Sequence, residues 1–159
     1  MWNEIETKKD IDFFMDETYS MHDSVMVSAK YSTDCGNTKD IIIIKSNNCG
    51  YVLRIIFDSQ WCERIEMLFI GVRHFGFCGF RDFYSNEISG CYLAFHTELM
   101  GKTRDDRLIV WSDGYFSPNV QGTEINLKDC DSTVVIADSF KWRFIDKEAE
   151  NDEYSCDDC

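Results

Sequence analysis

Residues 24–31, SVMVSAKY, carry a two-residue period: Val25, Val27, Ala29 and Tyr31 alternate with Met26, Ser28 and Lys30. Alternation at that period sends successive side chains to opposite faces, so the stretch predicts a half-buried β-strand. The same period recurs downstream. Tyr51, Leu53, Ile55 and Phe57 form the inward face of another strand, and Ile65, Met67 and Phe69, alternating with Glu66, Leu68 and Ile70, that of a further one. Ile41 to Ile44 is an unbroken β-branched run, which reads as a central strand buried on both faces. Asn47, Asn48 and Gly50 tolerate positive φ and predict a hairpin after it. More strands are expected at about 88–97, 107–112 and 132–145, the last bending near Asp138 and Ser139. Residues 33–39, 73–87 and 114–122 read as breaks in the pattern, and Pro118, the only proline, falls in the last of them.

Upstream of Ser24 the period is helical. Ile11, Phe14, Met15 and Tyr19 share one face of a helix over 8–19, with Thr7 as N-cap and Asp10 three residues on completing a weaker form of the capping box. Short strands, tight connections and a single helix predict an α+β, mainly β domain built on an antiparallel sheet. The expected architecture is a strongly bent meander of about seven or eight strands, rolled into a half-barrel or a two-layer sandwich, with the helix over an edge or open end. No βαβ alternation occurs, which disfavours a Rossmann or other parallel fold.

At 159 residues the chain fits one domain, read as 1–145, followed by an acidic tail, 146–159, that is expected to be disordered. The tail holds seven acids and one lysine, and the formal net charge of the whole chain is −13. Such a field repels phosphate backbones, so no nucleic-acid partner is expected; it suits a basic partner, or serves solubility. No run of 18 apolar residues occurs, so no membrane span is expected. The opening residues Met1 to Thr7 lack the basic and apolar regions of a signal peptide, which predicts a reducing, cytoplasmic compartment. In that setting the eight cysteines read mostly as free thiols, and Cys91, within an apolar strand pattern, as a small hydrophobe.

Few residues invite a chemical reading. His22, Asp23 and Ser24 include all three triad types, but sequence neighbours point in different directions and cannot form a spatial relay. A turn in which Asp23 or Ser24 bonds backbone amides and His22 packs is the structural alternative. His96 lies in strand alternation with Tyr92 and Ala94, and with His74 completes the histidines. No zinc spacing joins them, and Cys156-Asp157-Asp158-Cys159 is a lone CxxC in an acidic segment. No phosphate-binding glycine loop or nucleophile elbow occurs. Neither catalytic residues, metal ligands nor a cofactor are assigned. The segment 73–84 draws together Arg73, His74 and Arg81 with Phe75, Phe77, Phe80, Phe83 and Tyr84. Aromatic and arginine enrichment marks interface hot spots, while the same residues could plug the open end of the sheet.

Four pieces of sequence carry a resemblance. They are Met1-Trp2-Asn3-Glu4-Ile5, the junction Met21-His22-Asp23-Ser24, the strand Ile65 to Val72 (IEMLFIGV) and the closing Ile136 to Arg143 (IADSFKWR). In these the chain resembles a group of small, uncharacterised bacterial proteins. Over its first third it is also similar to immunity-type proteins of bacterial toxin systems, which share a His-Asp-Ser-like junction before a β-meander. That similarity implies binding and neutralising a protein partner, with no catalytic residues to carry over. The leading expectation is therefore a non-enzymatic protein-binding domain, immunity-like, for a basic partner. The alternative is a small-ligand-binding domain or hydrolase using His22, Asp23 and His96 at the open end of the sheet. A third reading is an assembly subunit, in which the aromatic patch joins two copies as a homodimer.

Overall fold

Helix α1 (Lys8–Glu17) begins where the sequence places it. The Thr7 backbone N–H donates to Asp10 Oδ2 at 2.7 Å and Asp10 N–H returns to Thr7 Oγ1 at 3.4 Å, a reciprocal capping box. Its Ile11 and Phe14 are buried and Met15 partly so. The computed structural model describes residues 1–33, 51–78, 87–99, 102–114 and 132–146. The strand expected at Ile41 to Ile44, the hairpin after it, the loop beyond Gly114, residues 79–86 and all of the tail after Asp146 lie outside the described residues.

The strands are β1 (Asn3–Glu4), β2 (Ser24–Thr33), β3 (Tyr51–Ser59), β4 (Arg64–Gly76), β5 (Glu87–Ile88), β6 (Tyr92–Leu99), β7 (Lys102–Ser112) and β8 (Val134–Ile145). All belong to one antiparallel sheet in the order β5-β2-β3-β4-β8-β7-β6, with β1 added on β8. Two sequential meanders, β2-β3-β4 and β6-β7-β8, thus meet through β4 and β8. The sheet is curled into an open half-barrel. Its pairing registers shift between Met26 and Ser28, between Val72 and His74, and between His96 and Glu98. Such bulges bend a strand and increase its twist, which is how a sheet curls without closing.

The concave side holds the main core. Leu53, Ile55, Phe57, Ile65, Met67, Phe69, Trp111, Phe140 and Trp142 line it, and α1 fills it. Phe14 meets Phe140 and Trp142 edge-on, with ring centroids 5.5 and 5.3 Å apart. Met15 reaches the start of β6, where Cys91 Sγ lies 3.6 Å from its sulfur. On the other side of the sheet a smaller cluster packs Leu99, Leu108, Val110, Val134 and Ile136.

The structure refines three local readings. In β2 the alternation shifts at the bulge next to Val27: before it Met26, opposite Phe57, faces the core, and beyond it Ala29 and Tyr31, opposite Ile55 and Leu53, lie on the same face of the sheet but are exposed, as is Val27. Residues 73–76 are not a break: β4 continues through Gly76, its bulge absorbing the irregular spacing. At Asp138 and Ser139 both side chains are exposed and β8 exchanges neighbours, β7 pairing up to Ala137 and β1 taking over at Lys141.

Candidate functional site

The chain leaves α1 through a turn of reversed hand. Tyr19, Ser20, Met21 and Asp23 all have positive φ, between 52° and 58°, and none is glycine. Each such residue costs on the order of 1 kcal/mol or more, so the turn persists only because its surroundings fix it. Those surroundings are specific. Thr18 Oγ1 donates to the Phe14 carbonyl at 2.7 Å, and Met21 N–H to the Thr18 carbonyl at 2.8 Å. Cys91 N–H donates to the Ser20 carbonyl at 2.8 Å and Asp23 N–H to the Ile88 carbonyl at 2.9 Å, tying the turn to the β5–β6 connection. The reversal sends Met21 fully into the core and Tyr19 outward, 58% exposed.

Tyr19 meets Trp61, from the turn between β3 and β4, with ring centroids 6.4 Å apart. Trp61 is itself 56% exposed. Its indole Nε1–H donates to Asp23 Oδ2 at 3.0 Å, which fixes the ring orientation without burying the ring. The same Asp23 oxygen lies 2.9 Å from His22 Nδ1. Gln60 Nε2 donates to Glu87 Oε1 at 3.1 Å, joining the Trp61 turn to β5. Exposed acids lie beside the turn that carries Trp61: Glu17 and Glu63 act on Cys62, and Glu87 holds Gln60. Burial, and then the negative charges of Glu63 and Glu17, push the neighbouring Cys62 thiol above its usual range, while a hydrogen bond with Ser59 opposes the rise. The result is a platform of two aromatic faces within a negative surround.

Of the residues marked out by sequence, His22 and Asp23 come together here, but His22 does not pack inward. Its side chain is 54% exposed, and Asp23 takes the Trp61 indole, not a backbone amide, as donor. Ser24 Oγ is buried with no hydrogen-bond partner among the described residues. His96 sits apart from the pair, on the β6 face that carries Ala94 and opposes Leu108, where its Nε2 is 2.8 Å from the Tyr92 hydroxyl. Burial holds the His96 imidazole below its usual pKa and the Tyr92 phenol above. Arg73, at the β4 bulge, makes a bidentate pair with Asp138, both N···O distances 2.9 Å. His74 faces Ile136 across β8, and its buried Nε2 has no hydrogen-bond partner among the described residues. Phe75 and Phe77 lie 6.5 Å apart, Phe77 exposed and Phe75 packed on the core. Phe80, Arg81, Phe83 and Tyr84 lie outside the described residues.

Tyr19 and Trp61 were not singled out by sequence. The helical period places Tyr19 on one face with Ile11, Phe14 and Met15, and the reversed turn moves it outside. Trp61 did carry a signal: a tryptophan in the polar stretch Ser59-Gln60-Trp61-Cys62-Glu63, between two strands, has no periodic inward position to occupy. Among the described residues no group of three His, Cys, Asp or Glu is placed to hold a metal ion, and no helix is long and apolar enough to cross a membrane.

Comparison with protein-family models, with curated proteins and with solved structures gives no match to this chain. Fold and site therefore define it directly, as a helix-filled antiparallel half-barrel with an aromatic and acidic platform at the helix–sheet junction.

Proposed function

We propose that the chain is a non-enzymatic protein-binding domain that takes a basic partner on the Tyr19–Trp61 platform, an immunity-like role. The observation that carries this reading is the exposed Trp61 indole, held in place by Asp23 and flanked by Tyr19 and by acids. An arginine or lysine laid over such a ring gains on the order of 0.5–1 kcal/mol where exposed and more where desolvated. The surrounding carboxylates add long-range attraction, which raises the on-rate and makes it salt-sensitive. Tryptophan and tyrosine are also the residues that dominate interface energetics. The net charge of −13 acts in the same direction over the whole molecule. The resemblance of the first third to immunity-type proteins supports the same class of partner.

The test is a panel of arginine- and lysine-rich peptides, with acidic and neutral controls, titrated against the wild type and Trp61→Ala. The expected outcome is retention of basic peptides at low salt, weakened by roughly tenfold or more in Trp61→Ala. Because Trp61 is mostly exposed, the substitution should move stability by no more than about 0.5 kcal/mol. No basic peptide bound at low salt, or binding indifferent to Trp61→Ala, would remove the reading.

A further inference from the structure

The convex side of the sheet carries a row of opposite character. Cross-strand register aligns Glu4, Lys141, Leu68, Arg54 and Lys30 on five neighbouring strands, β1, β8, β4, β3 and β2. The adjacent row aligns Arg143, Glu66, Ile56 and Ser28. Glu66, 2% exposed, accepts hydrogen bonds from both Arg54 Nε and Arg143 Nε. Trp2 lies over the end of this surface, its ring centroid 4.5 Å from Arg143 Cζ and 5.2 Å from Lys141 Nζ. Four cations thus meet two acids, a local charge of +2 in a protein of net charge −13. Lys30 is exposed, and the side chains of Arg54 and Arg143 are 36% and 37% exposed.

We propose that this convex cationic face docks the chain's own acidic C-terminal segment, residues 147–159. Three observations carry it. That segment holds six acids and one lysine, a charge of −5 that complements the +2 surface. It leaves the sheet from the strand that bears Lys141 and Arg143, since only Asp146 separates it from the end of β8. Thirteen residues reach roughly 40 Å when extended, against about 20 Å for the four strand spacings from β1 to β2. A short tether also gives an effective concentration on the order of millimolar, so weak ion pairing is enough for occupancy. The segment then screens this cationic face of an acidic protein, and the Tyr19–Trp61 platform is left to the basic partner.

The experiment compares the full chain with one ending at Asp146, using the Trp2 indole N–H resonance as reporter. Truncation should shift that resonance. A synthetic peptide of residues 147–159 added to the truncated chain should restore it, and should leave the full chain unchanged. Restoration should weaken as salt shortens the screening length from ~30 Å at 0.01 M to ~8 Å at 0.15 M. It should vanish with a peptide whose six acids are glutamine, and with the truncated chain carrying Lys30→Glu and Lys141→Glu. The glutamine peptide keeps the test decisive should that double variant misfold. An indole resonance indifferent to truncation and to peptide would overturn the proposal. So would one that responds to inorganic phosphate and not to the peptide, which would give the face to a small anion.

Discussion

At the scale of single residues, backbone hand separates two positions with opposite expected effects. Gly71 has φ +68°, and a Cβ built there would collide with the Asp138 carboxylate, which Arg73 holds in a bidentate grip. Gly71→Ala should therefore cost about 1–3 kcal/mol, read from the urea midpoint. Ser20 has φ +52° without being glycine, so Ser20→Gly should relieve strain and stabilise by up to about 1 kcal/mol. The two substitutions moving stability in the same direction would contradict this account. Neither position is decided by the local sequence. The isolated glycine of IEMLFIGV signals a bulge or a close approach without saying which, and the left-handed turn at Ser20 depends on partners about 70 residues downstream, Ile88 and Cys91.

Between elements, the informative cases are the helix start and the charges across β3, β4 and β8. The capping box of α1 was legible because it is made within four residues. Thr7→Ala should cost about 1 kcal/mol. The Thr7 hydroxyl, and then the Thr7 and Glu6 backbone N–H groups, hold the Asp10 carboxyl below its usual 3.8. A depressed carboxyl stabilises the fold above the ordinary range and loses that contribution as pH falls through it. Asp10→Asn should therefore flatten part of the decline in melting temperature below about pH 5. The Glu66 triad was not legible, because Arg54 and Arg143 lie 12 and 77 residues from Glu66. Either arginine alone leaves Glu66 paired, so Arg54→Ala and Arg143→Ala should each be mild. Removing both strands a buried carboxylate, and the double variant should exceed the sum by on the order of 1–3 kcal/mol. An additive cycle in chemical denaturation would show that the arginines act independently. The same contrast explains the strands. Period two located the inward faces of β3 and β4, where Leu53, Ile55, Phe57, Ile65, Met67 and Phe69 are all buried, whereas in β2 a bulge that no composition marks moves the core-facing parity from Met26 to Ala29 and Tyr31.

Over the whole molecule, the fold class was legible from alternation, but the joining of two meanders through β4 and β8 was not, since pairing over such separations is set by packing. That joining has a consequence for acid stability. It places His74 in one cross-strand row with Ile136, Val110 and Ala94, and brings His96, opposite Leu108, onto the same sheet face. Burial lowers both imidazoles from the ordinary 6.5. An unfolded chain accepts protons at these sites once pH falls below about 6.5, whereas the folded chain resists them until lower pH. Their neutral forms therefore leave stability intact above that value, and it declines as pH drops from 6.5 toward 5, a window above the ordinary carboxylate range. Denaturant midpoints measured across this window should fall for the wild type and fall less for His74→Gln, whose side chain takes no proton there. A His74→Gln profile parallel to the wild type would assign the decline to other groups. A rise in stability on acidification would mean that the imidazoles gain a charge partner in the fold, contrary to the burial that lowers them.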